Sequence, residues 1–131
     1  MNIQERIRAY GKWLQNPEDE KPSFDGADMR RADMRGADMR LADMRWANMR
    51  WAVGYILGPQ RNDGYRFDLR IIGKTWRVVA GCNALKNWTT DQYRAHAAKY
   101  SDPAKTAETL AILDYLDARA KQEPVEPEGA A

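Results

Sequence analysis

Between residues 24 and 52 apolar side chains recur every five residues, at Phe24, Met29, Met34, Met39, Met44 and Met49. An alanine stands two places before each methionine, at Ala27, Ala32, Ala37, Ala42 and Ala47. The units read ADMRR, ADMRG, ADMRL, ADMRW and ANMRW. A step of five suits neither ordinary element. On an α-helix it turns each methionine by about 140° from the last, so no apolar face forms. On a flat strand it reverses the side at every repeat. The methionines share one dry axis only if the chain turns a corner every five residues, and four corners close a square coil. Residues i and i+20 then stack, about 4.8 Å apart if the coils pair like neighbouring strands. This places Phe24 on Met44, Met29 on Met49, Arg30 on Arg50, and Arg31 on Trp51.

The flanking segments follow different periods. Ile3, Ile7, Tyr10 and Leu14 recur at helical spacing after Asn2, with Glu5 three places on, which predicts a capped amphipathic helix over 3–15 that covers the first coil. Asn16-Pro17 ends it. After Val53 the period of five stops. Tyr55-Ile56-Leu57 reads as a short strand, and Arg61-Asn62-Asp63-Gly64 as a turn. Tyr65, Phe67, Leu69 and Ile71 alternate with polar neighbours up to Gly73-Lys74, a two-residue hairpin turn. Pairing Ile72 with Thr75 sets Ile71 opposite Trp76, Leu69 opposite Val78 and Phe67 opposite Ala80, so that one face is apolar. Thr89 with Gln92 starts a helix to about Lys99, and Asp102-Pro103 starts a longer one striped by Leu110, Leu113, Leu116 and Ala120. Both are expected to pack on the hairpin.

The repeat run resembles the pentapeptide-repeat proteins, and the arrangement around it is similar to that of small bacteriophage and prophage members. The resemblance implies a short right-handed quadrilateral β-helix of about 1.5 coils. Its core is formed by Phe24, Met29, Met34, Met39, Met44 and Met49 above the alanines, with Pro22 opening the series and Ala52 closing it. Methionine stands where leucine is commoner in the family, which implies a softer core. So brief an array needs caps. The expected fold is therefore a mainly β solenoid with an α+β cap: residues 1–17 a capping helix, 22–53 the repeats, 54–121 a hairpin-plus-two-helices domain, and 122–131 a disordered tail rich in proline and glutamate.

Composition narrows the chemistry. Lys and Arg total 21 against 19 acids. The repeats set five aspartates against six arginines, which is too balanced and too short for the acidic rod with which some family members imitate DNA. Direct nucleic-acid binding is not expected on this balance. No apolar run reaches membrane-spanning length and no leader is evident, so a cytoplasmic protein without membrane attachment is expected. One cysteine and one histidine rule out a His- or Cys-rich zinc site within one chain. Cys82 is read as a buried thiol continuing the sheet's inner face, and His96 as a surface or cap residue. No cofactor, metal or enzymatic activity is expected.

Trp46 and Trp51 occupy the last place of adjacent repeats. Either they lie beneath the C-terminal segment, or they form with Arg30, Arg31 and Arg50 an aromatic and cationic patch for a partner or an anion. The leading expectation is a non-catalytic, phage-encoded factor that engages a host protein of anti-phage defence or the DNA-topology machinery through this face. The alternatives are a nucleotide-trapping sponge at a protomer interface and a purely structural homodimer. An oligomer is expected because one and a half coils leave an unpaired edge.

Overall fold

The computed structural model describes residues 2–17, 20–37, 39, 42, 44, 47–49 and 52–123, without the side chains of Ala84 and Leu85. Helix α1 spans Ile3–Gln15, with the Asn2 side chain accepting from the Glu5 amide. After the repeats come strands β1 (Tyr55–Ile56), β2 (Asp68–Ile72) and β3 (Thr75–Val79), a 3-10 turn (Gly81–Lys86), and helices α2 (Thr90–Ala97) and α3 (Pro103–Ala120). The strands form an antiparallel sheet in the order β1-β2-β3. The hairpin register is the one the Gly73-Lys74 turn implies: Ile72 pairs with Thr75, Ile71 with Trp76, and Leu69 with Val78. The Thr89–Gln92 capping box and the Asp102 cap both form.

In the repeat segment each described corner is closed by a hydrogen bond from an alanine amide to the carbonyl three residues back: Ala27 to Phe24, Ala32 to Met29, Ala37 to Met34, Ala42 to Met39, Ala47 to Met44 and Ala52 to Met49. The chain then meets itself twenty residues on, in parallel bridges between Asp28 and Asn48 and between Asp33 and Val53. Four ladder bonds mark them, among them Met29 N–H to Asn48 carbonyl at 2.9 Å and Met34 N–H to Val53 carbonyl at 2.7 Å. Against the expectation of a mainly β fold, these are isolated bridges and not regular strands. A corner every five residues leaves too few extended residues between turns for a ladder to lengthen.

Phe24, Met29, Met34 and Met39 are completely buried, whereas Met44 and Met49 are only half-buried. Ile7 and Tyr10 of α1 join this core, with Leu14 packed at its margin and Tyr10 edge-on to Phe24. A second core lies beyond the sheet and holds Ile56, Phe67, Leu69, Val78, Tyr93, Ile112, Leu113 and Leu116. The stripe of α3 is rotated from the expected one: Thr109 and Ile112 are buried while Leu110 is half-exposed. Thr109 is drawn inward because its hydroxyl donates to the Lys105 carbonyl and accepts from Arg61.

The face of β2 that alternates with the apolar one carries the polar neighbours, yet it is also buried. Asp68 is 1% exposed and Arg70 5%. Tyr55 and Val79, on this second face, belong to the repeat core, so the sheet is a wall between the two cores. Cys82 does not continue the inner face. At Gly81 the backbone enters the left-handed region, the 3-10 turn begins, and Cys82 is exposed. The proposed tail beyond Glu123 lies outside the described residues, as do Trp46, Arg50 and Trp51.

Candidate functional site

Repeat backbones end in amide and carbonyl groups with no further coil to receive them, and buried groups of this kind need partners. On one side the Gln4 side chain acts as a stray peptide unit. Its Nε2 donates to the Asp33 carbonyl at 2.9 Å and its Oε1 accepts from the Asp33 amide at 2.8 Å. Arg6 also donates to the Ser23 carbonyl. On the other side the buried face of β2 takes over. Gly36 N–H donates to the Ile71 carbonyl at 2.7 Å, and Ile71 N–H to the Gly54 carbonyl at 2.9 Å. Arg66 donates to the carbonyls of Ala42 at 3.1 Å and Met39 at 2.9 Å. Arg70 lies within reach of the Gly36 and Ala37 carbonyls. At these positions the edge expected to recruit a second chain is occupied from within. Gln4, Arg6, Arg66 and Arg70 carry no periodic signal that would reveal this role in the sequence.

Arg66 also holds Asp68. Its guanidinium donates to both carboxylate oxygens at 2.7–3.0 Å, and the Tyr55 hydroxyl and Gly58 amide complete the set at 2.7 and 3.0 Å. Burial pushes the Asp68 carboxyl up, against the pull of these four donors. Arg66 supplies the largest of the opposing pulls toward the ionised form. Gly58 must be glycine, because a Cβ there would overlap the Phe67 carbonyl.

Beside this pair opens a cleft of about 770 Å³, lined by the apolar Leu14, Ala42 and Val79, by Tyr65 and Gln60, and by the exposed Cys82. Among its described lining residues the only charges are Arg66 and Asp68, which are already committed to each other and to the repeat carbonyls. The patch expected on the repeats is described only in part. Arg30 is exposed and paired with Asp28 at 2.7 Å, a bond that holds the Asp28 carboxyl down to about 2. Arg31 sits at a corner with φ of 61°. Arg35 and Asp33 repeat the same pairing. Arg30 and Arg35 each neutralise the aspartate of their own repeat unit.

His96 is packed among Trp88, Tyr93 and Tyr100, with ring centres 4.9–5.4 Å away. Among the described residues no group of three or more His, Cys, Asp and Glu could hold a metal ion. Arg61, read in the sequence as a turn residue, is 5% exposed; it pairs with Asp63 and lies over Phe67, Tyr65 and Tyr100.

Residues 22–53 match the family model for pentapeptide repeats, in 8 copies. The bridges at a spacing of twenty and the inward alanines and methionines agree with that match, so this stretch is a pentapeptide-repeat segment, for which a β-helix-like course is implied. Proteins with such repeats are in general structural or binding proteins and not catalysts. No curated protein and no solved structure matches the chain. Among the described residues no helix is long and apolar enough to cross a membrane.

Proposed function

We propose that this is a non-catalytic binding protein whose repeats wind as a short right-handed quadrilateral β-helix of about one and a half coils. It engages another protein where those repeats meet the C-terminal cap. The twenty-residue return of the chain supports four units per coil. The observation that carries the functional reading is the cleft itself: a recess lined in part by apolar residues, beside a charged pair that is occupied inside the chain. Such a pair leaves no uncommitted charge to orient a small polar ligand. It suits an apolar side chain inserted from a partner surface, the usual form of an interface anchor. A phage-encoded factor acting on a host protein of defence or DNA topology is the specific form that the family resemblance suggests.

Cys82 is the single cysteine and stands exposed in the cleft lining, so one photo-crosslinker can be attached there. Irradiation in bacterial lysate is expected to give a discrete adduct that unlabelled protein competes away and that Leu14→Arg or Tyr65→Ala abolishes. An adduct indifferent to both substitutions, or none at all, overturns the reading.

A further inference from the structure

A second surface, remote in sequence from the repeats, lies where α2 turns into α3. Trp88, His96 and Tyr100 form a row, with Trp88 and His96 centres 4.9 Å apart and His96 and Tyr100 centres 5.4 Å apart. All three are half-buried. Lys86 Nζ lies 5.0 Å from the Trp88 ring centre, Lys105 Nζ lies 4.6 Å from that of Tyr100, and Lys99 is exposed beside Tyr100. Among the described residues none of these lysines has a carboxylate oxygen within 4.0 Å, whereas Arg30, Arg35, Arg66 and Arg119 each have one and Arg94 has three. Lys86, Lys99 and Lys105 thus bring three ammonium groups without a direct ion pair to the aromatic row. His96 registers them: burial first, then Lys86, Lys99, Lys105 and Arg61, hold its imidazole below the ordinary value. Of the acids that share a hollow with Lys105, Asp63 is paired with Arg61, while Glu108 accepts from the Asn62 amide and Asp102 caps α3, both keeping their charge, so the phosphates fall to the Lys86 and Lys99 side first.

We propose that this corner binds single-stranded nucleic acid, the three lysines taking phosphates while Trp88 and Tyr100 stack unpaired bases. Ammonium groups resting on ring faces are held weakly and can exchange the ring for a phosphate once a base covers it. A duplex keeps its bases stacked on one another and could use only the lysines. An acidic peptide would likewise leave the rings idle. The near-balanced charge of the whole chain argues against coating a duplex, but it leaves room for a local strip of this kind. The inference uses none of the residues of the cleft, and the two readings stand or fall separately.

The test is fluorescence anisotropy of a labelled oligothymidylate of about twelve nucleotides, titrated with the full chain at low and moderate salt. Binding is expected to weaken with salt at a log–log slope of about −2, as roughly three phosphate contacts on a single strand imply. The triple variant Lys86→Gln, Lys99→Gln, Lys105→Gln, with unchanged circular dichroism, should lose about tenfold or more in affinity. Trp88→Leu should weaken the oligonucleotide but not polyglutamate competition, and the single His96 resonance should move on binding. Absence of binding at low salt, equal binding by the triple variant, or equal affinity for duplex or polyglutamate overturns the proposal. Equal affinity for free thymidine monophosphate would assign the corner to mononucleotides and overturn the single-strand reading.

Discussion

The two cores on either side of the sheet are completed by opposite means. The C-terminal core closes its own backbone: β2 and β3 pair in register, both helices carry side-chain caps, and the interior is filled by Phe67, Tyr93, Leu113 and Leu116. The repeat core has shape-tolerant methionines inside, and its backbone is finished by groups from elsewhere, namely Gln4, Arg6, Arg66 and Arg70. The contrast shows how an array too brief to stand alone becomes stable. The lids act both as apolar covers, through Ile7, Tyr10, Tyr55 and Val79, and as hydrogen-bonding partners for an interrupted backbone.

The largest effect is expected where one residue serves both jobs. Arg66→Met strips the Met39 and Ala42 carbonyls of their donor and leaves Asp68 buried without a counter-charge, a loss of about 3–5 kcal/mol in chemical denaturation. Adding Asp68→Asn should recover part of that loss, because the stranded charge is gone. If the double variant were no better than the single one, capping of the carbonyls and not charge pairing would be the dominant role.

Next come the interiors themselves. Leu113→Ala should cost about 3 kcal/mol, since the packed second core cannot collapse around the void. Met34→Leu, although equally buried, should cost less than about 1.5 kcal/mol. Equal losses would remove the distinction between a stiff and a yielding interior. Gln4→Ala should cost about 1–2 kcal/mol and speed hydrogen exchange at the Asp33 amide. Gln4→Glu should rescue little, because a carboxylate cannot donate to the Asp33 carbonyl.

The smallest effect is acid sensitivity, which should separate the two regions by pH. His96 is depressed in the folded chain, so between that value and its ordinary 6.5 the unfolded chain binds more protons. Stability should therefore begin to fall as pH drops below about 6.5, and His96→Gln should flatten that step. Asp28 is lowered from 3.8 to about 2, and Asp33 is lowered likewise. Their small contributions are present above the ordinary carboxylate value and disappear only as pH falls through the folded one. Amide exchange followed by residue during acidification would show which region yields first.

Much of this was written in local pattern. The five-residue beat located the inward alanines and methionines, Gly73-Lys74 set the hairpin register, and Asn2, Thr89 and Asp102 marked three helix starts. Pattern failed wherever a polar residue is buried by a distant partner. Arg66, Asp68 and Arg70 alternate with apolar neighbours as an exposed face would, yet the two arginines reach the repeat backbone some 24–34 residues earlier and Asp68 is buried against Arg66, Tyr55 and Gly58. Thr109 turns inward for Arg61, and Cys82 turns outward at a left-handed glycine. The cleft was illegible for the same reason, because its walls come from Leu14, Ala42, Tyr65 and Val79, which no single period connects. Of the five residues expected to form a binding patch, only Arg30 and Arg31 fall among the described ones.

The return of the backbone after twenty residues carries an evolutionary corollary. Gln4 greets one rim of the array and the sheet greets the other, so a duplication of four whole units would present each lid with the same rim at the same azimuth. Growth by three or five units would rotate one rim by a quarter turn and strand its lid. Length in such proteins should therefore change in steps of twenty residues, or else be accompanied by a rebuilt lid.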